Sequence, residues 1–417
     1  MEHKTKYMNE IQKRNIVIIW RENMQEEIIK QSEKWTMNTY APFPIVVDHG
    51  KGSVVFDKNG KGYLDFTSGI GVSSIGYDNE ALTQAITDQV GKLLHISNSF
   101  YNEPAAQLAE SLCNLTKMSR VFFSNSGAEA NEGAIKVARK YSFDKYGAGR
   151  HTIITLKQSF HGRTITTLAA TGQDHFHQSF FPFTEGFKYV KANDIEDLMN
   201  QVDHTVCGIL MESIQGEGGV HPLDKGFVNK VCQIAKEQDI AVIFDEVQCG
   251  IGRTGEFLGY DHYGVEPDII TLAKGLGGGV PIGAFLCNEK MGQVLNPGDH
   301  GSTYGGNPLV CAAANEVIRQ VTEKDFINQV KEKGEYIQGV ILGWANEKVV
   351  QVRGKGLMIG IEMTKTAKPI QEAALEKGLL LLSAGAQTIR LLPPLTITYD
   401  EIDQGLTILK EILTEES

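Results

Sequence analysis

Ile269-Ile270-Thr271-Leu272-Ala273-Lys274-Gly275-Leu276-Gly277-Gly278-Gly279 runs from a short apolar stretch into a lysine and then into glycines. Upstream, Ala241-Val242-Ile243-Phe244 leads just as directly into Asp245-Glu246. Each apolar run has the length of a buried strand, and turn-forming residues close the second. Working outward, helical patterns alternate with further short apolar runs at 121–123, 152–156, 208–211 and 284–287. This alternation predicts an α/β fold with a mostly parallel sheet covered by helices on both faces. Ligands in such sheets gather at the carboxyl ends of the strands, where Lys274 and Asp245 stand. A buried lysine loses proton affinity and becomes an amine able to condense with a carbonyl. A buried aspartate needs a cationic partner.

The flanks read differently. Residues 1–35 are polar, rich in Lys and Glu and free of Gly and Pro, with a helix expected over 24–35 that packs on the body and an extension before it. Val54 to Phe66 reads as a β-hairpin turning on Lys58-Asn59-Gly60. After residue 310 come helical patterns at 310–322 and 325–345, strands at 349–353, 357–363 and 388–392, and a closing helix at 399–413. The expected division is an N-terminal segment 1–35, a large domain 76–305, and a small α+β domain built from 36–75 and 306–417.

Bulk properties narrow the function. A net charge of −11 argues against an extended nucleic-acid footprint. The run Ile16-Val17-Ile18-Ile19-Trp20 is far shorter than a membrane span and has charged flanks, and no secretory signal is evident. Cys113, Cys207, Cys232, Cys249, Cys287 and Cys311 are scattered without a C-x-x-C, which predicts reduced thiols in a cytoplasmic enzyme and no metal site. Cys249 reads as a small residue filling a crowded turn.

Several segments carry candidate chemistry. Ser126-Gly127-Ala128 follow a strand and open a helix of good formers, a place where free N–H groups bind an anion; a plain capped helix uses the same residues. Phe160-His161-Gly162-Arg163 offers a ring to stack on a flat ligand and a guanidinium to grip a carboxylate, or else a core phenylalanine beside a surface arginine. Glu212 and Glu217 leave a strand in a Gly-rich turn; one acid would fix the Asp245 neighbourhood and the other face substrate. Gln248, three residues past Asp245 in the same segment, is placed to reach a phenolic oxygen. Thr303, in Gly301-Ser302-Thr303-Tyr304, could donate to a phosphate or simply belong to a capping loop. Arg390, in an apolar strand ended by Pro393-Pro394, needs a partner: a ligand carboxylate or an internal salt bridge. Lysine, acid, ring and phosphate cradle together fit pyridoxal 5′-phosphate, whose protonated pyridine would pair with Asp245 and act as an electron sink. Gly250-Ile251-Gly252-Arg253-Thr254-Gly255 matches a dinucleotide fingerprint, yet Asp245-Glu246 separate it from the strand and Glu256-Phe257-Leu258 is a poor helix start.

Taken together, these segments resemble the class III, fold-type I pyridoxal-phosphate aminotransferases. The resemblance runs from about residue 37 to the C-terminal helix and rests on NSGAEANEGAIKVAR (125–139), FHGR (160–163), ESIQGEGG (212–219), IFDEVQCGIGRTG (243–255), LAKGLGGGVPIGA (272–284), HGSTYGGNP (300–308) and IRLLPPL (389–395). It implies that Lys274 forms a Schiff base with the cofactor and shuttles the proton, and that Asp245 holds the ring nitrogen protonated. Gln248 would touch the ring oxygen and Phe160 would stack on the ring. Ser126, Gly127 and Ala128 would hold the phosphate, with Thr303 reaching in from the partner of a homodimer with shared sites. Arg163 and Arg390 would bind carboxylates, with Glu217 pairing Arg390, and Tyr40, Ile70, Glu212 and Ser302 would complete the substrate site. The implied reaction moves the terminal amine of N2-acetylornithine to 2-oxoglutarate by ping-pong kinetics, as in arginine biosynthesis. Ornithine-specific members carry tyrosine where this chain has Ile70, which sets the order of acceptors as acetyl-, succinyl-, then free ornithine, with acetyl-lysine-type amines behind. An aminomutase or decarboxylase could use the same lysine and aspartate. A non-enzymatic binding module would have no need of Lys274.

Overall fold

The computed structural model describes residues 24–415. The expected extension before residue 24 lies outside them. Residues 24–35 form the expected helix, but it lies on the surface, with Trp35 and, just beyond it, Met37 and Tyr40 strongly exposed. Its contact with the body includes the Val46 N–H donating to Gln25 Oε1 at 3.3 Å.

Three N-terminal strands, β1 (Val47–Lys51), β2 (Val54–Asp57) and β3 (Gly62–Asp65), follow as an antiparallel meander. The turn after β2 is fixed by Asp57, whose Oδ1 accepts from the Asn59 and Lys61 N–H groups. A seven-stranded sheet comes next, made of β4 (Arg120–Ser124), β5 (Thr152–Leu156), β6 (Phe187–Val190), β7 (Val206–Glu212), β10 (Ala241–Asp245), β11 (Ile269–Leu272) and β12 (Gly283–Cys287), with a small ribbon of β8 (Ile214–Gln215) and β9 (His221–Pro222) between β7 and β10 in sequence. The sheet order is β4-β12-β11-β10-β7-β5-β6, parallel except for β12. Strands β5, β7, β10, β11 and β12 are buried at every position, as strands covered on both faces must be.

β6 was not foreseen. Phe187-Lys188-Tyr189-Val190 alternates apolar and polar over only four residues at the sheet edge, where Lys188 reaches out to Asp203.

The C-terminal part contributes β13 (Val349–Lys355), β14 (Met358–Met363), β15 (Leu379–Leu380), β16 (Leu382–Ala384) and β17 (Thr388–Leu391). β13-β14-β17-β16 form an antiparallel sheet, while β15 crosses over to pair with β3. Of the hydrophobic clusters that result, the first lies on one face of the seven-stranded sheet, another on its opposite face, and a third includes Leu64, Phe66, Ile359, Leu379, Ile402 and Leu409 from both ends of the chain. Helix Pro308–Val321 buries Val310, Val317 and Val321 in the first core. This helix follows the expected boundary at 306.

The glycine-rich decoy joins the two parts. Gly252 and Gly255 adopt φ of 81°, and the segment leads into a short 3₁₀ turn, Gly259–Tyr263, not a dinucleotide-binding helix. Arg253 is buried and donates through Nη1 to the Leu357 carbonyl at 3.1 Å and the Pro393 carbonyl at 2.5 Å.

Glu246 shows the period-two rule at work. Asp245 faces the site, whereas Glu246 points to the other side and accepts from Ser213 Oγ, the Gly259 N–H and the Tyr260 N–H. Burial outweighs these donors and pushes its carboxyl up to about 8. The folded state therefore holds a proton that the unfolded chain has released, and stability from this group falls as pH rises toward about 8. Thermal midpoints of the wild type should decline between pH 6 and 8.5. Glu246→Gln should be less stable by about 1–2 kcal/mol at pH 6, because one N–H loses its acceptor. Its decline over the same range should be shallower; equal slopes would contradict the assignment.

Candidate active site

The register of the sheet assembles the site. Asp245 is opposite Glu212 on β7 and Thr271 on β11, so one edge carries both acids and delivers the chain to Lys274 two residues past β11. Ser124 at the end of β4 is opposite Gly283 on β12 and brings in the helix Gly127–Tyr146. A cleft of about 510 Å³ opens there. It is lined by Ser126, Gly127, Ala128, Phe160, Arg163, Glu212, Asp245, Gln248 and Lys274, together with Asn131, His161 and Val247.

Lys274 begins a 3₁₀ turn with φ of 41°, a left-handed conformation uncommon for a residue bearing a side chain and often found where function requires it. Burial pushes its ammonium below the ordinary lysine value, Glu217 opposes this, and the Arg390 charge adds to it. The result is an amine more readily deprotonated than a surface lysine.

Asp245 is 3% exposed. Its Oδ2 accepts from Asn131 Nδ2 at 2.7 Å and lies 2.8 Å from His161 Nδ1, and its Oδ1 accepts from the Val247 N–H at 3.0 Å. Glu212 accepts from the Phe160 N–H at 3.1 Å and the Gly216 N–H at 3.2 Å. Burial, reinforced by the Asp245 charge, raises its carboxyl well above the usual range against the pull of these two donors, which tie the backbone at Phe160 and Gly216 to it.

At the opposite wall Ser126 caps the helix, accepting from the Glu129 N–H at 3.2 Å. The first N–H groups of the helix, those of Gly127 and Ala128, have no intrahelical acceptor. A Cβ on Gly127 would lie 2.8 Å from Val247 Cγ1, so glycine is what lets the helix start and the Val247 side chain share this corner.

Arg390 is 2% exposed and donates through Nη1 to Glu217 Oε1 at 2.5 Å and to Gln248 Oε1 at 3.1 Å; Gln248 Nε2 returns a bond to Glu217 Oε1 at 3.2 Å. Burial alone would raise the Glu217 carboxyl, but the Arg390 and Lys274 charges outweigh it and hold it below the usual range. The Glu217 turn is anchored by Arg353, which donates to the Gly219 and Val220 carbonyls and pairs with Glu362. Arg163 is exposed and lies 4.0 Å from the Phe176 ring centroid and 5.5 Å from that of Phe160.

Tyr40, Thr303, Ser302 and Ile70 are not among the residues that line the cleft of this chain. Tyr40 is 85% exposed. Thr303 is exposed, and Ser302 Oγ instead accepts from Asn125 Nδ2 at 3.1 Å and the Gly305 N–H at 2.9 Å. Ile70 lies in a left-handed turn, Ser68–Gly71, with φ of 63°, a strained setting for a β-branched side chain. Gln248 lines the cleft, yet its amide is engaged with Glu217 and Arg390.

Asn131, His161 and Val247 were not singled out from sequence. Asn131 and His161 sit inside the quoted motifs, and the helical spacing of Asn131 from Gly127 places both on one face. Nothing in the string shows that this face meets Asp245. Among the described residues no cluster of side chains suited to hold a metal occurs, and no helix is long and apolar enough to cross a membrane.

The residues present fit pyridoxal phosphate. The depressed lysine, the buried aspartate awaiting a cation, the two free N–H groups at a glycine-opened helix start and the Phe160 wall supply what its aldehyde, pyridinium, phosphate and ring each require. Fold and site define a fold-type I pyridoxal-phosphate-dependent enzyme. The chain matches the aminotransferase class-III family over residues 36–413 and belongs to it. It is 50% identical over 391 residues to an acetylornithine aminotransferase of Caldanaerobacter subterraneus subsp. tengcongensis, covering 93% of this chain and 99% of that one. Among solved structures it is similar to the N-acetylornithine aminotransferase of Stenotrophomonas maltophilia, with TM-score 0.81, 33% identity, and 93% and 99% of the two chains covered. It is also similar to an ornithine aminotransferase of Toxoplasma gondii described with PLP at partial occupancy in its active site, with TM-score 0.91, 30% identity and 94% of each chain covered. The protein is an aminotransferase that uses pyridoxal phosphate.

Proposed function

We propose that this enzyme takes the terminal amine of N2-acetylornithine and delivers it to 2-oxoglutarate, yielding N-acetylglutamate 5-semialdehyde and glutamate, and that it works as a homodimer. The observation that carries the reading is the Glu217–Arg390 pair beside Lys274. An ω-amine arrives on a carbon without a carboxylate, and Glu217 then keeps Arg390 neutralised. Glutamate arrives with a carboxylate next to its amine, and Arg390 exchanges Glu217 for it. Because Arg353 pins the turn, the exchange is a rotation of the Glu217 side chain rather than a loop movement.

Bound pyridoxal phosphate supplies the electron sink for proton removal from the substrate carbon. In the proposed roles Lys274 moves that proton, Asp245 holds the pyridine proton, Phe160 and Val247 bound the ring, and Ser126, Gly127 and Ala128 hold the phosphate. Arg163 binds the distal carboxylate of either substrate. Thr303, exposed and remote from this chain's own cleft, would complete the phosphate site of the partner subunit. Ile70 and Tyr40 would border the amine-substrate channel, with an apolar Ile70 favouring an acyl group over a free α-amine.

Glu217→Ala should separate the two half-reactions. With Arg390 left unpaired, the rate ratio should shift by about 10–100-fold in favour of glutamate over acetylornithine. Single-turnover absorbance with each substrate reads this directly, and equal factors on both would remove the switch. Comparing acetyl-, succinyl- and free ornithine in the wild type tests the acyl preference; free ornithine as the best substrate would overturn it.

A further inference from the structure

Asn131 lies one turn into the helix Gly127–Tyr146 and is 1% exposed. Its amide is used at both ends. Nδ2 donates to Asp245 Oδ2 at 2.7 Å and to the His161 carbonyl at 2.8 Å, and Oδ1 accepts from Thr271 Oγ1 at 2.8 Å. The helix, the Phe160 segment, β10 and β11 all meet on this one side chain. We propose that Asn131 is a positioning residue that fixes the rotation of the Asp245 carboxylate toward the cofactor's ring nitrogen. The inference rests on the reading of Asp245 as the partner of that nitrogen.

Donor counting supports it. The carboxylate receives Asn131 and His161 on Oδ2 and the Val247 N–H on Oδ1, with Thr271 Oγ1 farther off at 3.5 Å. Donors on both oxygens of a buried carboxylate hold its plane in one orientation. Two acceptors decide which end of the Asn131 amide faces Asp245: a flipped amide would set oxygen against oxygen at both Asp245 and the His161 carbonyl, whereas the Thr271 hydroxyl can pair with either end and ties the amide to β11. Thr271 is itself opposite Asp245 in the parallel register, so the geometry is set by the sheet.

The test uses pyridoxal phosphate binding to apoprotein, followed by absorbance, together with the pH titration of the bound absorbance. Asn131→Leu should weaken cofactor binding by about 10–100-fold, in line with the loss of an orienting partner. Asn131→Asp should weaken it at least as much, because two adjacent carboxylates share a proton. In both variants the pH titration of the absorbance should move, which a purely structural role would not produce. Thr271→Val removes the hydroxyl that ties the amide to β11, together with its 3.5 Å approach to Asp245 Oδ1, and should shift affinity and titration in the same direction by a smaller factor. Unchanged affinity and titration in folded Asn131→Leu overturn the proposal, as does an unchanged Thr271→Val if the leucine variant does not fold. Asp245→Asn separates the two levels. If it too leaves binding unchanged, the reading of Asp245 falls along with the proposal; if it alone weakens binding, only the role of Asn131 falls.

Discussion

Lys274→Ala is expected to lower turnover of acetylornithine by at least about 10⁴-fold, since in the proposed roles one side chain supplies both the covalent attachment and the proton transfer. The loss should come without loss of fold. Lys274 opens a 3₁₀ turn whose following residues, Gly275, Leu276 and Gly277, are buried and hold the loop in place. Far-ultraviolet circular dichroism should therefore match the wild type while steady-state rates vanish into background. Lys274→Arg should not rescue: a guanidinium stays protonated at any pH the fold tolerates and cannot act as the free amine. Activity within tenfold of wild type in either variant would contradict the assignment.

Arg390→Ala should have the second largest effect, and a selective one. Loss of a buried guanidinium that grips a carboxylate costs on the order of 10²–10³-fold in the half-reaction with glutamate or 2-oxoglutarate. The half-reaction with acetylornithine should change by less than about tenfold, because there Arg390 only answers Glu217. A second signature follows from charge. Arg390 helps hold the Lys274 ammonium down whereas Glu217 holds it up. Removing Arg390 and leaving Glu217 should raise the apparent pKa of Lys274, so the acid-side limb, on which activity rises as the amine is freed, moves to higher pH. Separate single-turnover measurements with each substrate, repeated across pH, check both points; a uniform loss with no pH shift would refute them.

These predictions draw on parts of the molecule that were unequally legible. Lys274 and Asp245 stand out in the sequence because each ends an apolar run that a parallel sheet buries on both faces, and strand ends are where such sheets bind ligands. Glu217 and Arg390 lie 173 residues apart and are joined by an ion pair that no local pattern encodes. Their association comes from the family resemblance, and the geometry supplies the third member, Gln248, bonded to both. Asn131 and His161 went unremarked because their partner, Asp245, reaches them only through the sheet register and the docking of a helix. β6 was lost for a different reason: four residues at a sheet edge give too little periodicity to read. The surface position of helix 24–35 and the exposure of Trp35, Met37 and Tyr40 likewise had no sequence signal, since apolar residues near a chain end read as buried.

The central claim is the covalent partner of the cofactor. Purified holoenzyme reduced with borohydride, digested and analysed by mass spectrometry should yield a single phosphopyridoxyl adduct, on the peptide that contains Lys274. An unmodified Lys274 peptide, or an adduct confined to another lysine, would contradict the account.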